Sequence, residues 1–260
     1  MVLLFAFLLV AAATAADPPV DLEEIESYLA QFAGYKKSEN TLVASWETEE
    51  FNEAVKRFQR EVGLEETGRL NEETLTLMKE DRCGITDGGD GDNSQDYQVW
   101  TSWFKYSPKR TLSYCITDYT KDLSPSTARR VISDAVRAWT RYGNLNIRYT
   151  SSRSCDLKMK WGVRNHGCFS PFDGRGRILA HAFYPTNGDV HFDDDEYWTD
   201  RSRSGKNLYY VSVHELGHAL GIRHSRVRDS VMYPIYRSYN PNFKLHMDDI
   251  NAIRKLYRKF

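Results

Sequence analysis

Apolar residues recur at helical spacing three times in the first third of the chain. Ile25, Tyr28, Leu29 and Phe32 form one stripe, Phe51, Ala54, Val55 and Phe58 a second, and Leu70, Thr74, Leu75 and Met78 a third. A period near 3.6 residues predicts three short amphipathic helices that bury these stripes against one another. Ahead of them, residues 2–10 are unbroken apolar and are followed by the small residues Ala13, Thr14, Ala15 and Ala16. Such a run is too short to span a bilayer and the small residues suit a cleavage site. Residues 1–16 therefore read as a secretory signal, one without the usual basic start.

The pattern changes after the third stripe. Residues 87–96 read DGGDGDNSQD, with no apolar anchor, which makes 88–96 a flexible acidic linker and a natural place for a protease to cut. From residue 97 onward, strand and helix signals alternate. Strands are predicted at 112–117, 145–150, 156–161 and 178–184. Ser124 caps a helix with Pro125 at its first position, Val131, Ala135, Ala138 and Trp139 share one face, and Gly143 closes it. Further helices are expected over 207–220 and from 247 to about 257. Alternation of this kind implies a twisted, mostly parallel sheet with helices against it.

Composition changes this picture little. The 260 residues allow one ordinary domain plus a small one, and a net charge of −1 gives no electrostatic case for nucleic acid or a membrane surface. No later run approaches the roughly 20 apolar residues of a membrane span, so the mature chain is expected to be secreted and soluble. The last helix is expected to end the chain, without a hemopexin-like domain, lipid-anchor signal or transmembrane tail. No Asn-x-Ser/Thr sequon and no basic convertase cluster occurs, which points to activation by another protease or by self-cleavage, with a mature start near Tyr97 or Val99.

The chemistry is concentrated in HELGHALGIRHS, His214 to Ser225. On a helix His214 and His218 are one turn apart on one face, close enough to share a metal. Gly221 lets the backbone leave with positive φ, so that His224 can return as a third nitrogen ligand. Three protein ligands leave one position on Zn²⁺ open, the arrangement of a catalytic site. Glu215, adjacent and acidic, is expected to be the general base. The plainer alternative is an amphipathic helix with surface histidines. Against it stand the glutamate, the glycine, the third histidine and Met232, eight residues further on, which complete the metzincin signature with its methionine turn.

Those residues make the chain resemble a matrixin, a matrix metalloproteinase of the minimal, matrilysin-like type without a hemopexin domain. Upstream, Asp81-Arg82-Cys83-Gly84-Ile85-Thr86-Asp87 is similar to the family's cysteine switch, with Asp81 and Thr86 in place of two prolines. The resemblance implies that Cys83 holds the catalytic zinc in a latent form; a disulfide from Cys83 is the alternative. It also implies an α+β fold, a metzincin catalytic domain with a five-stranded, mostly parallel sheet and three helices over 97–260. A three-helix prodomain, 17–87, would precede it. Residues 58–78 are similar to matrixin prodomains and to peptidoglycan-binding modules, so a glycan-binding role for this unit is a second reading. A catalytically silent metal-binding paralogue is a third.

Further site residues follow from the same likeness. A second, structural zinc is implied at His166, His181 and His191, with Cys168 standing where an aspartate is expected; a thiolate suits zinc. Calcium is implied at Asp173, Asp193 and Glu196 with the backbone oxygens of Gly174, Gly176 and Ile178, and a second calcium at Asp156 and Asp189. Cys115 and Cys155 fall at strand positions expected to be neighbours, which favours their pairing, while a bond from Cys168 to either stays open. A peptide would lie along the 178–184 edge, touching Leu179 and Ala180. A pocket walled by Pro234, Ile235 and Tyr236 and floored by Tyr210 would be shallow and favour leucine just after the scissile bond. Implied partners are extracellular proteins or peptides as substrates and protein inhibitors of the matrixin family, acting on a monomer.

Overall fold

The computed structural model describes residues 21–37, 46, 48–86, 98–106 and 111–258. The apolar leader, Asp87 and the acidic linker lie outside the described residues. Helices α1 (Leu22–Phe32), α2 (Glu49–Glu61) and α3 (Glu72–Lys79) occupy the predicted stretches. Each begins where a side chain satisfies a free N–H: Asp21 accepts from Glu23 N, Thr48 from Phe51 N and Asn71 from Thr74 N. Leu29, Ala54, Val55 and Phe58 are wholly buried where the stripes meet. In α3 the buried positions are Thr74, Leu77 and Met78, and Leu70 and Leu75 pack only at the edge.

This small core is not self-sufficient. Phe172, Ile178, Tyr233 and Ile235, from the second half of the chain, complete it. Tyr233 Oη donates to Val62 O at 3.0 Å, and Arg177 pairs with Glu24 at 2.6 Å.

The larger unit is built on a six-stranded sheet, one more strand than expected. Its strands are β1 (Arg82–Cys83), β2 (Thr111–Ile116), β3 (Asn146–Tyr149), β4 (Leu157–Gly162), β5 (Ile178–Ala182) and β6 (Asp189–Asp193), in the order β1-β5-β6-β4-β2-β3. The β5–β6 pair is antiparallel and every other pair parallel. The added strand, β1, comes from the end of the helical unit. A separate pair, β7 (Trp198–Thr199) and β8 (Lys206–Asn207), lies outside this sheet.

Two expectations are corrected. Strand β5, expected as an edge, lies between β1 and β6, and it stops at Ala182 instead of running to residue 184. The central β6 was not predicted as a strand, because its sequence DVHFD carries His191 and Asp193 at buried positions and reads as polar.

Against the sheet lie α5 (Pro125–Thr140) and α6 (Leu208–Ala219), with α7 (Met247–Leu256) beyond them. A short helix α4 (Trp103–Tyr106) adds a fourth helix to the three expected. Ser124 caps α5 and Pro125 opens it, as read from the sequence; its C-cap is Arg141 and not Gly143. Ile132, Ala135 and Trp139 pack wholly buried with Leu157, Met159, Val190, Phe192 and Val213. Trp139 Nε1 donates to Val213 O at 2.8 Å and so fixes α5 against α6. Every residue of α6 except Tyr209 is buried, which removes the surface-histidine alternative. Cys115 and Cys155, on β2 and just before β4, are joined by a disulfide with Cα atoms 6.0 Å apart; Cys83 and Cys168 are free.

Candidate metal centres

His214 and His218 project from one face of α6 with their Nε2 atoms 3.0 Å apart. Gly221, at φ +98°, turns the chain out of the helix, and a Cβ there would run into the Thr101 carbonyl oxygen. The turn brings the His224 ring centre to 4.6 Å from that of His218 and 5.3 Å from that of His214. His214 Nδ1 lies 2.6 Å from Val231 O, and His218 Nδ1 lies 2.8 Å from Ile222 O. A carbonyl only accepts, so both Nδ1 atoms carry the hydrogen and both Nε2 lone pairs face the cluster. Burial first, then His224 and His214, hold His218 well below the usual range, so its ring is neutral.

The Cys83 sulfur completes this group: its ligand atom and those of the three histidines all lie within 4.8 Å of one another. Metal bonds of about 2.0–2.3 Å imply ligand separations near 3.3–3.7 Å around a tetrahedron. The nitrogen and sulfur donor set suits zinc, with Cys83 in the fourth position. Beside it Glu215 is buried, and burial raises its carboxyl to about 8, with the Cys83 thiol acting in the opposite sense.

Sequence reasoning missed what stabilises the floor of this site. Asp249 is completely buried in the first turn of α7, where it accepts from Val231 N at 3.0 Å, Met232 N at 3.4 Å and the Ser230 hydroxyl. It thereby pins the methionine turn. The available signal was a capping box: His246 caps α7 and Asp249 accepts from its N–H at 2.8 Å.

A second group gathers His166, Cys168, His181 and His191, also within 4.8 Å. His166 Nε2 lies 3.1 Å from His191 Nδ1, His181 Nε2 3.0 Å from the same atom, and Cys168 Sγ 3.1 Å from His166 Nε2. Burial pushes His181 down to about 3 and His191 to about 2, so these rings are neutral lone-pair donors. His166 Nδ1 is held at 2.9 Å by Arg164 O, and its ring stacks on Phe172 with centroids 4.2 Å apart. The His₃Cys set fits a tetrahedral zinc.

Asp173 and Glu196 are tied to the glycine loop, and each influences the Asp193 carboxyl or is influenced by it, although the three do not form a ligand group as tight as the two histidine clusters among the described residues. Asp173 Oδ1 accepts from Ile178 N at 3.3 Å, and Glu196 accepts from Gly176 N. Burial raises all three carboxyls, Asp193 to about 6, and Asp193 Oδ2 and Glu196 Oε2 are buried without a partner. Buried unpaired carboxylate oxygens fit a hard cation such as Ca²⁺. Asp156 and Asp189, like the three acidic residues above, belong to no close ligand group among the described residues. Asp156 accepts from Ser113 N and Oγ, both at 2.7 Å, while Asp189 faces Lys158 at 3.4 Å and stands 4.0 Å behind His191.

Strand β1 lies in the cleft beside the first cluster. Arg82 N donates to Arg177 O at 2.6 Å and Gly84 N to Ala180 O at 2.8 Å on one side; Cys83 N donates to Pro234 O at 3.0 Å on the other. Arg82 is buried, its Nη1 2.6 Å from Tyr28 Oη and its guanidinium 3.6 Å over the Phe32 ring. Beneath β1 is a pocket of about 20 Å³ lined by Leu179, Tyr210, Val211, His214, Pro234 and Tyr236 among others. Tyr210 packs edge-on to Tyr236 and Phe243. Ile235 belongs to the helical unit's core instead.

A buried nitrogen–sulfur cluster with an adjacent carboxylate, under a helix-and-sheet frame and with a chain segment in its cleft, is an arrangement that suits metal-assisted hydrolysis. The matrixin family profile matches residues 103–258, and a peptidoglycan binding domain profile matches residues 19–78. The chain belongs to the matrixin family, whose members are metalloendopeptidases. It is similar to human matrilysin, 38% identical over 244 residues that cover 91% of this chain and 85% of that protein. Hatching enzyme of Paracentrotus lividus is 41% identical over 208 residues, 80% of this chain, and rat stromelysin-1 is 36% identical over 241, 91% of this chain. The chain spans 34% and 49% of the length of those two proteins. No helix among the described residues is long and apolar enough to cross a membrane.

Proposed function

We propose that this chain is a secreted, zinc-dependent endopeptidase made as a latent zymogen and stabilised by calcium. The observation that carries the reading is the convergence of Cys83 with His214, His218 and His224 beside Glu215. In this reading residues 1–16 are the signal, 17–87 the inhibitory unit, 88–96 the cleavable linker and 97–260 the catalytic unit. Placement of β1 in the cleft supports inhibition over glycan binding for the helical unit, although the peptidoglycan-binding likeness covers the same helices.

Zinc, when bound, polarises a peptide carbonyl and makes water a nucleophile at neutral pH. Removal of β1 frees the backbone groups of β5 and of the Pro234 to Tyr236 segment, which then hold an extended peptide. With β1 and Cys83 gone the cleft opens to water and the burial that holds Glu215 protonated is relieved; its carboxylate then takes the proton of the attacking water and passes it to the leaving amine, with no acyl intermediate. Tyr210 limits the pocket to medium aliphatic side chains such as leucine just after the scissile bond. His166, Cys168, His181 and His191 would hold a second zinc, and Asp173, Asp193 and Glu196 a calcium. Substrates in this reading are extracellular proteins, and protein inhibitors of the family would bind the same cleft of a monomer.

The test is cleavage of casein or gelatin after limited proteolysis in the linker. Activity lost to a chelator and restored by zinc is expected; activity that persists in chelator would exclude the mechanism.

A further inference from the structure

At the end of β5 away from the Tyr210 pocket stands an aromatic and cationic group to which no role has yet been given. Trp100 is 55% exposed, unusual for so large an apolar ring, yet its backbone is tightly held. Trp100 N donates to Gly221 O at 2.7 Å, Arg223 N donates to Gln98 O at 2.9 Å, and Val99 bridges Ile222 antiparallel. The segment is thus fastened to the loop that delivers His224. The Trp100 ring stacks on Tyr184, with centroids 5.8 Å apart and planes 26° from parallel, and Tyr184 in turn packs edge-on to His218 at 5.7 Å. The Arg223 guanidinium carbon lies 4.6 Å over the Trp100 ring.

Stacking on an indole fixes the plane of a guanidinium while leaving its N–H edge outward, the geometry that binds a carboxylate in bidentate fashion. Among the described residues Arg223 has no ion pair and no side-chain hydrogen bond. Its position relative to the cleft is set by two landmarks. Leu179, near the start of β5, lines the pocket assigned to the side chain after the scissile bond, whereas Tyr184 follows the other end of that strand, against His218. A peptide crossing the site therefore presents to Arg223 the residues that precede the bond.

We infer that Arg223, held in place by Trp100, is a specificity determinant that selects an aspartate or glutamate side chain on the amino side of the scissile bond. The inference rests on the peptidase reading and names a substrate feature for the same site. Trp100 acts as a positioning residue, since it orients the cation without itself meeting the carboxylate.

The test uses the full chain, converted by limited proteolysis, and quenched peptides with leucine after the cleaved bond. Glutamate, glutamine and lysine are placed in turn two, three and four residues before that bond. At one of these positions kcat/KM for the glutamate peptide should exceed that for glutamine by about fivefold, as a partly exposed, hydrogen-bonded ion pair provides. Lysine should fall below glutamine, and the preference should shrink in high salt. In Arg223→Met the glutamate-to-glutamine ratio should fall to about one; in Trp100→Ala and Arg223→Lys it should lie between. Each ratio is read on a single enzyme, so a general loss of activity does not move it. A flat ratio at all three positions, or a preference that survives Arg223→Met, overturns the inference while leaving the peptidase reading intact. Failure to cut any of the peptides would instead sink that reading, and this inference with it.

Discussion

Met232 Sδ rests so closely against the α carbon of Gly217 in α6 that no Cβ fits between them. The Trp139 ring approaches the same spot from α5. Gly217 lies between Glu215 and His218, so the bare backbone lets the methionine turn seat directly beneath the metal-facing turn of the helix. Gly217→Ala should displace Met232 or tilt α6, at a cost of about 1–3 kcal/mol as in other overpacked cores. Denaturant unfolding with zinc present would measure this, and a variant as stable as the parent would show that the contact is slack.

Asp81 stands where the cysteine-switch motif usually has a proline. The structure shows a different anchor: Asp81 Oδ1 accepts from Arg177 N at 3.0 Å, its other oxygen pairs with Lys206, and its carbonyl accepts from Tyr236 N at 2.7 Å. Asp81→Ala should weaken the seating of β1 by about 1–2 kcal/mol, the usual range for hydrogen bonds to a charged group that is partly buried. The rate at which a thiol reagent reaches Cys83 in the uncut chain reports this directly. It should rise roughly tenfold, because about 1.4 kcal/mol changes an opening equilibrium by that factor. An unchanged rate would assign the hold on β1 to Arg82 and the backbone bonds alone.

Cys168 tests the second cluster. If the thiol ligates zinc, it should react with a thiol reagent only after chelation, and Cys168→Ser should lower zinc affinity by more than the roughly 10–100-fold that loss of a supporting hydrogen bond costs. A Cys168 equally reactive before and after chelation would leave that metal to the three histidines.

The first metal cluster was legible because two of its ligands are one helical turn apart and the third follows a glycine, so local geometry fixes them. The second was legible only through family likeness, since His166, His181 and His191 come from a loop and two strands whose pairing no local rule specifies. Strand β6 was hidden because two of its buried residues, His191 beside His166 and His181, and Asp193, are polar. Asp249 escaped notice, and Arg82 was legible only as part of the switch motif, for a related reason: charged residues are ordinarily exposed, and only tertiary contacts reveal that these two are buried and hydrogen-bonded.

Glu215 is proposed to work as a base beside a zinc held by His214, His218 and His224. The most direct test is Glu215→Gln, in which zinc content and peptide cleavage are measured on the same preparation after the linker is cut. Zinc should be bound as in the parent, with kcat/KM lower by roughly 10²–10⁴-fold. Cleavage at the parent rate, or a parent protein that cuts peptides with no metal bound, would contradict it.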